Sequence, residues 1–369
     1  MLILSKKLWQ RGSDVVKNYR IIDLCAGIGG IRKGFELAGN FENVFSVEID
    51  EQACTTYEAN FGENPKGDVT DPEICDMIPE YDILLAGFPC QAFSIAGKRK
   101  GFKDETRGTI FFYLADIIEK TRPKAFLLEN VEGLVRHNQG KTFETILNVL
   151  ENQLGYEVKW DIINAKDFGV PQNRPRVYIV GFDKLANDVK FEFPKKGSKV
   201  YAENVQQIME EEPVCPRYYL SEGYLQTLKN HKARHKSKGN GFGYIILDPQ
   251  GISNAILATG GSGKERNLVI DKRIDLETAK VPTNKRSPLN KEYVRFLTPR
   301  EWSRLQGFEY CFEDGFKIPV SDTHAYKQLG NAVAIPVITE IAKAMKPVLR
   351  SMDNLSLSAE YDEVAAASM

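Results

Sequence analysis

The side chains of this sequence best suited to covalent chemistry are a cysteine behind a proline, a carboxylate beside an amide, and two arginines one residue apart. Cys90 follows Phe88-Pro89, directly after the apolar run Ile83–Gly87. Proline fixes one backbone dihedral and so helps to aim its successor. A thiolate is a nucleophile, although a lone cysteine also serves commonly as a small core residue. The stretch from Ser94 to Gly108 is polar and glycine-punctuated, with Lys98, Arg99, Lys100, Lys103 and Arg107 against Asp104 and Glu105. Such a loop suits closure over a polyanion, and its cations favour a thiolate. Glu129-Asn130 ends a second apolar run, Ala125–Leu128. A carboxyl in apolar surroundings has a raised pKa and can donate a proton; one half of a buried ion pair is the structural alternative. Gln172-Asn173-Arg174-Pro175-Arg176 precedes a further apolar run, Val177–Val180. In extended chain Arg174 and Arg176 point the same way, a fork for an anion or a carbonyl oxygen.

A second constellation lies near the amino terminus. The run Ile21–Leu24 leads into Cys25-Ala26-Gly27-Ile28-Gly29-Gly30 and then a helical pattern. A glycine turn between strand and helix lets backbone approach a ligand closely, although such turns are also merely tight. Asp23 at the mouth of this turn would repel a pyrophosphate. Glu48 ends the next strand candidate, where an acid can bind two ribose hydroxyls. Asp68, in Gly67-Asp68-Val69-Thr70, could meet an adenine amino group. Such an acidic pocket suits a nucleoside carrying positive charge, S-adenosylmethionine rather than NAD.

These residues need a scaffold that brings strand ends to one edge. The strand candidates Ile21–Leu24, Val44–Glu48, Ile83–Gly87, Ala125–Leu128 and Val177–Val180 alternate with helical patterns such as Ile31–Ala38 and Phe111–Lys120. That rhythm predicts an α/β fold with a largely parallel sheet covered on both faces. From about residue 185 to 294 it gives way to a Gly-, Lys-, Asn- and Pro-richer stretch, read as a separate, mostly β or irregular domain. The pattern Ile335 to Leu349 is apolar enough to pack back on the sheet, and an acidic tail from Met352 reads as disordered. The chain has 369 residues and a formal net charge of −1, which excludes a polybasic protein that binds nucleic acid by bulk charge. It has no apolar run of the roughly 20 residues that a membrane helix requires, and its first residues do not read as a secretory signal. Six cysteines without close pairing point to reducing cytoplasm and to no disulfide or metal framework.

In order along the chain stand DLCAGIGG, VFSVEID, GDVTD, GFPCQAFSIAGKRKGF, ENVEGL, QNRPRVYIVGF, RFLTPREWSRLQGF and YKQLGNAVAIPV. This order resembles the DNA cytosine-5 methyltransferases of bacterial type II restriction-modification systems over about residues 20 to 345. The resemblance implies a doubly wound, Rossmann-like sheet that binds S-adenosylmethionine, with a second, smaller mixed or β target-recognition domain. The boundaries expected are an N-terminal extension 1–18, a catalytic domain 19–185 with 323–350, recognition residues 186–322, and a tail 351–369. By resemblance, Cys90 attacks C6 of a flipped cytosine, Glu129 protonates N3, and Arg176 binds the carbonyl oxygen, with Asn130 and Arg174 in support. C5 then takes the methyl group. The cofactor residues carried over are Asp23, Ala26, Gly27, Gly29, Gly30, Glu48, Ile49, Asp68 and Pro89, joined by Asn331 and Val333 of Gly330-Asn331-Ala332-Val333. Thr298, Arg300 and Glu301 carry over as structural. Cys25 replaces the family's usual phenylalanine and Ala332 a common serine, and the loop around residues 103–107 is one residue longer than in many relatives.

The segment Leu228 to Asp275 holds nine Lys or Arg against four acids, which fits either a solvated helix face or a DNA surface. Glycine-rich pieces within it, around residues 239–244 and 259–267, favour DNA. HKARHKSKGNGFGY and GKERNLVID resemble the recognition region of HpaII-type enzymes, which implies a short CC/GG palindrome such as CCGG. The expected DNA contacts are Ser94, Lys98, Arg99, Arg107, Lys236, Lys238, Asn240, Gly260, Gly261 and Arg266. A monomer is expected, since one strand is modified at a time, and protection of DNA from a cognate endonuclease is the implied role. The rivals are a tRNA cytosine-5 methyltransferase relative, which shares the Cys, ENV and QxRxR pieces, and a catalytically silent nucleoside-binding DNA reader. A redox role for Cys90 lacks a nearby resolving cysteine.

Overall fold

The structure, a computed structural model, describes residues 17–89, 110–184, 190–258, 264–279 and 287–367. Its sheet is made by β1 (Tyr19–Leu24), β2 (Phe41–Val47), β3 (Ile83–Gly87), β4 (Ala125–Val131), β5 (Tyr156–Asn164) and β7 (Pro175–Asp183), in the order β2-β1-β3-β4-β7-β5. β1, β2, β3 and β4 pair in parallel, whereas β7 is antiparallel to both neighbours, β4 and β5. A short connection through β6 (Gln172–Asn173) joins β5 to β7, which permits antiparallel pairing without a crossover helix. β5 carries no sequence signal comparable to the others. It is an edge strand with Lys159, Trp160 and Asp161 exposed, so its pattern is not the continuous apolar run of a central strand.

Successive residues of the central strands face opposite layers. Ile21, Ile83, Leu85, Leu127 and Val180 pack under α1 (Gly30–Ala38) and α8 (Ile335–Ala367), through Phe35, Ile338, Ile341 and Met345. Ile22, Leu84, Phe126, Leu128 and Ile179 pack against α3 (Ile110–Thr121) and α4 (Lys141–Asn148), through Leu114, Ile118 and Ile146. This is the doubly wound arrangement expected from the strand–helix rhythm. Gly34 lets α1 and α8 close on each other, since a Cβ there would lie 2.5 Å from Ile338.

The region after residue 185 holds the short strands β8 (Ser253–Asn254), β9 (Leu268–Ile270) and β10 (Val294–Phe296) amid irregular chain, together with the 16-residue helix α5 (Glu222–Ser237). Its start is set by the Ser221 hydroxyl, which accepts from the Tyr224 amide, and basic residues of its last turn suit the helix dipole. Helix α8 runs to Ala367; past Pro347 it contains Ala, Leu, Glu and Met and no glycine or proline. A third core joins the two regions: Ile28 and Ala53 pack with Trp302, Leu305, Phe308, Leu329 and Ile335. It connects the glycine turn to α6 (Pro299–Leu305) and α7 (Asp322–Asn331).

Candidate active site

The parallel register places the carboxyl ends of β1, β3 and β4 side by side, with Leu24 opposite Ala86 and Gly87 opposite Glu129. Ligands of open α/β sheets bind at this edge. Between β1 and α1 the chain turns through left-handed conformations at Cys25 (φ 58), Gly27 (φ 56) and Gly29 (φ 77). A Cβ on Gly29 would enter the Phe61 ring, and one on Gly30 would lie 2.9 Å from Val333 and 3.0 Å from Phe308. The turn is held by Glu48, whose Oε2 accepts from the Gly27 amide at 2.7 Å and Oε1 from the Asp50 amide at 2.8 Å. Asp50 caps α2 (Glu51–Phe61), accepting from the amides of Gln52 and Ala53. Asp68 accepts from the amide and hydroxyl of Thr70 at 2.8 and 2.7 Å.

A cavity of about 530 Å³ opens at this edge. Of the cofactor residues expected from sequence, Ala26, Gly27, Gly30, Glu48, Ile49, Asp68, Pro89, Asn331 and Val333 line it. Glu129, Asn130, Arg174 and Arg176 line the same space. Asp23 and Gly29 are not on its wall. Asp23 does not stand at the mouth of the turn but is wholly buried beneath it, where Oδ2 accepts from the Arg32 amide in the first turn of α1 at 3.2 Å. Burial pushes its pKa up to about 8. Gly29 serves the turn itself. Sequence reasoning missed Ile28, Phe88, Lys327 and Gln328 as wall residues. The first two flank expected residues and were legible as neighbours, while Lys327 and Gln328 come from α7 and reach the site only through tertiary packing. Cys25 also lines the cavity, and burial pushes its thiol up to about 12, so it packs there as an uncharged side chain.

At the other end of the cavity Glu129 is buried, and loss of solvent raises its pKa against the opposing pull of Arg176 and Arg174. Arg176 Nε lies 3.3 Å from Glu129 Oε1. Gly87 faces the same carboxyl, 3.5 Å from a Cβ position to Oε2. Asn130 Nδ2 donates to the Phe88 carbonyl at 2.8 Å, tying the end of β4 to the chain entering Pro89. The expected arginine fork is not formed. Arg174 is buried and spends its guanidinium on the carbonyls of Ile256, Gly330 and Ala332, at 2.8, 2.9 and 2.6 Å. Only Arg176 of the two faces Glu129 as an ion-pair partner among the described residues. Cys90 lies outside the described residues; Pro89, its predecessor, is on the cavity wall.

Of the expected DNA contacts, Ser94, Lys98, Arg99, Arg107, Gly260 and Gly261 also lie outside the described residues. Lys236 and Arg266 are exposed, as is Lys238 at the end of α5. Asn240 is half-buried and its Oδ1 lies 2.7 Å from His235 Nδ1, closing the end of the helix. A buried ionic cluster ties the ends of β9 and β10 to α6. Arg295 is wholly buried, pairing with Glu301 at 2.7 Å and with Asp271 at 2.9 Å. Thr298 and Glu301 form a reciprocal capping box at the start of α6, and Arg300 pairs with Glu309 at 2.5 Å.

The sequence matches the family described as C-5 cytosine-specific DNA methylase over residues 19–347. It is 53% identical over 341 residues to the type II methyltransferase M.HpaII of Haemophilus parainfluenzae, covering 92% of this chain and 91% of that protein. Type II methyltransferase M1.ScrFI of Lactococcus lactis subsp. cremoris is 44% identical over 334 residues, 90% of this chain and 79% of the other. Among solved structures, the S. pombe Dnmt2 methyltransferase superposes with a TM-score of 0.63 at 19% identity, covering 90% of this chain and 99% of that one; at this identity the likeness is one of fold.

Proposed function

The chain belongs to the family of C-5 cytosine-specific DNA methylases, and from that premise we propose how its residues divide the reaction. It is a DNA (cytosine-5-)-methyltransferase of the type II restriction-modification class. The observation that carries the residue assignment is a single cavity lined at one end by the glycine turn, Glu48 and Asp68 and at the other by Glu129, Asn130 and Arg176.

The wall fits S-adenosylmethionine. Glu48 and Asp68 supply carboxylates for a ribose and an adenine, while Ile28, Val69 and Phe88 give an apolar bed. The acids also suit a positively charged sulfonium, and the volume is that of a small-molecule site. When bound, this cofactor supplies an electrophilic methyl group. The chain's own residues prepare the acceptor. C5 of neutral cytosine is a poor nucleophile, so covalent addition must activate it. The Cys90 thiolate adds to C6 while the Glu129 carboxyl gives its proton to N3, and the electron pair displaced from the C5–C6 bond makes C5 nucleophilic. Burial keeps that carboxyl protonated to higher pH than a solvated glutamate. Arg176 binds the cytosine carbonyl oxygen, and Asn130 and Arg174 hold the frame around it. After methylation a base takes the C5 proton, the thiolate departs and N3 returns its proton to the Glu129 carboxylate, restoring the neutral ring. A stacked base offers neither face, so the target cytosine is flipped into the cavity.

The region around α5 and β9 is assigned to target recognition within residues 186–322, with residues 19–185 and 323–350 as the catalytic domain. Its similarity to M.HpaII supports CCGG or a related CC/GG palindrome as the target, and a monomer is the proposed working form because one strand is modified at a time. Expression in a methylation-free host, followed by bisulfite reading of plasmid DNA, tests the assignment. Unconverted cytosines confined to one short palindrome are expected; complete conversion, or modified cytosines in tRNA instead, contradicts it.

A further inference from the structure

The cavity wall and the proposed recognition region meet in a polar cluster built from Gln172, Arg174 and Gln306, all wholly or almost wholly buried. Gln172 Oε1 accepts from the Ile256 amide at 3.1 Å, and its Nε2 donates to the Leu305 carbonyl at 2.9 Å. Gln306 lies 3.3 Å from Gln172 and donates to the carbonyls of Leu329 and Ala332 at 3.0 and 3.1 Å. Arg174 bridges the same two segments, reaching Ile256 on one side and Gly330 and Ala332 on the other. The strands agree with the side chains: β6 pairs with β8, Gln172 opposite Ser253 and Asn173 opposite Asn254. Gly330, a cavity residue, has no room for a side chain, because a Cβ would lie 2.6 Å from Ala258 Cα.

A buried cation held by hydrogen bonds to backbone carbonyls, and buried amides with partners on distant stretches of chain, are costly where apolar packing would suffice. Their partners are Ile256 and Leu305 of the proposed recognition region on one side and Leu329, Gly330 and Ala332, beside or on the cofactor wall, on the other. A shift of either side therefore leaves buried donors or acceptors unpaired, so neither moves alone. We propose that Gln172 and Gln306, with Arg174, are positioning residues that couple cofactor binding to DNA binding, so that each ligand tightens the other by fixing the shared cluster. The inference rests on the cofactor and recognition assignments given above.

The test is the ratio of dissociation constants for S-adenosylhomocysteine without and with the duplex identified by plasmid mapping. Wild-type protein is expected to show a ratio of about five or more, in the usual range of allosteric coupling. Gln172→Met and Gln306→Met keep side-chain length and remove the polar links; in each the ratio falls below about two, while affinity for S-adenosylhomocysteine alone changes less than about threefold. A merely structural role would weaken both states alike and leave the ratio unchanged, which overturns the proposal, as does a wild-type ratio of one. A second measurement needs no variant: S-adenosylhomocysteine alone should slow amide hydrogen exchange at Ile256 in the wild type, and unchanged exchange there contradicts the coupling. Wild-type protein that methylates the plasmid but shows no coupling refutes this inference only. Protein that neither methylates DNA nor binds S-adenosylhomocysteine refutes the assignment beneath it as well.

Discussion

Glu129 and Arg176 face each other across adjacent antiparallel strands, Nε to Oε1 at 3.3 Å, on the wall of the cavity that also holds the glycine turn. The arginine opposes burial, so the carboxyl is poised between two influences: loss of solvent raises its pKa and the guanidinium lowers it. If Glu129 is the proton donor to N3, Glu129→Gln should lower kcat by at least about 100-fold, the usual scale for losing a general acid. The sign in pH follows. The active form is protonated, so wild-type kcat should decline as pH rises through the raised pKa, and the variant's residual rate should lack that decline. Steady-state methylation from pH 5.5 to 9 reads both effects.

Asp23 makes a stability prediction. Its pKa rises from 3.8 to about 8 through burial. Between those values the folded state holds a proton that the unfolded chain has lost, so stability falls with rising pH across that window and levels off above it. Asp23→Asn keeps an acceptor for the Arg32 amide and cannot ionise. The unfolding midpoint of the variant should therefore gain on the wild type between pH 5 and pH 8 or 9. A constant difference across that range would contradict the burial argument.

The glycine turn separates two costs. Gly27 has a positive φ but nothing within 4 Å of a Cβ, whereas Gly29 has a positive φ and the Phe61 ring in the way. Gly27→Ala should cost about 1 kcal/mol of backbone strain. Gly29→Ala should cost about 1–3 kcal/mol more through overpacking. Denaturant unfolding of the two proteins measures the gap.

The proposed recognition region contains a buried ionic cluster of Asp271, Arg295 and Glu301. Glu301→Gln removes one charge from Arg295, which is wholly buried, and should destabilise the protein by about 3 kcal/mol or more. Exposed Lys236 and Lys238 behave differently. Replacing both by Ala should leave stability within about 0.5 kcal/mol. If each contacts a phosphate, the double variant lowers the slope of log affinity against log salt by about two. Filter binding over a salt series gives that slope.

Much of this arrangement was legible in the sequence, because the signal was local. The five strand candidates all lie within or overlap strands of the six-stranded sheet, since buried parallel strands read as short continuous apolar runs. Glu48, Glu129 and Arg176 sit at or just beyond strand ends, which is where chemistry gathers in such folds, while Asp68 lies in the loop that follows α2. What failed was non-local. The i, i+2 spacing of Arg174 and Arg176 suggested a fork, but nothing in that pentapeptide shows that carbonyls 82 and 156 residues away would take up Arg174. Asp23 looked like a ligand-facing acid because the sequence does not reveal which side of the turn α1 covers. Helix α5 was hidden by its polarity: Leu225 is its one buried residue, so it lacks an apolar stripe.

The most direct test of the account is covalent capture. Duplex DNA carrying 5-fluorocytosine at the mapped site is incubated with the protein and S-adenosylmethionine, then resolved under denaturing conditions. Fluorine at C5 cannot leave as a proton does, so the account predicts a stable one-to-one protein–DNA adduct attached at Cys90, formed by the wild type and not by Cys90→Ser. An adduct that persists in Cys90→Ser, or a wild type that methylates ordinary DNA yet forms none with the fluorinated duplex, would contradict it.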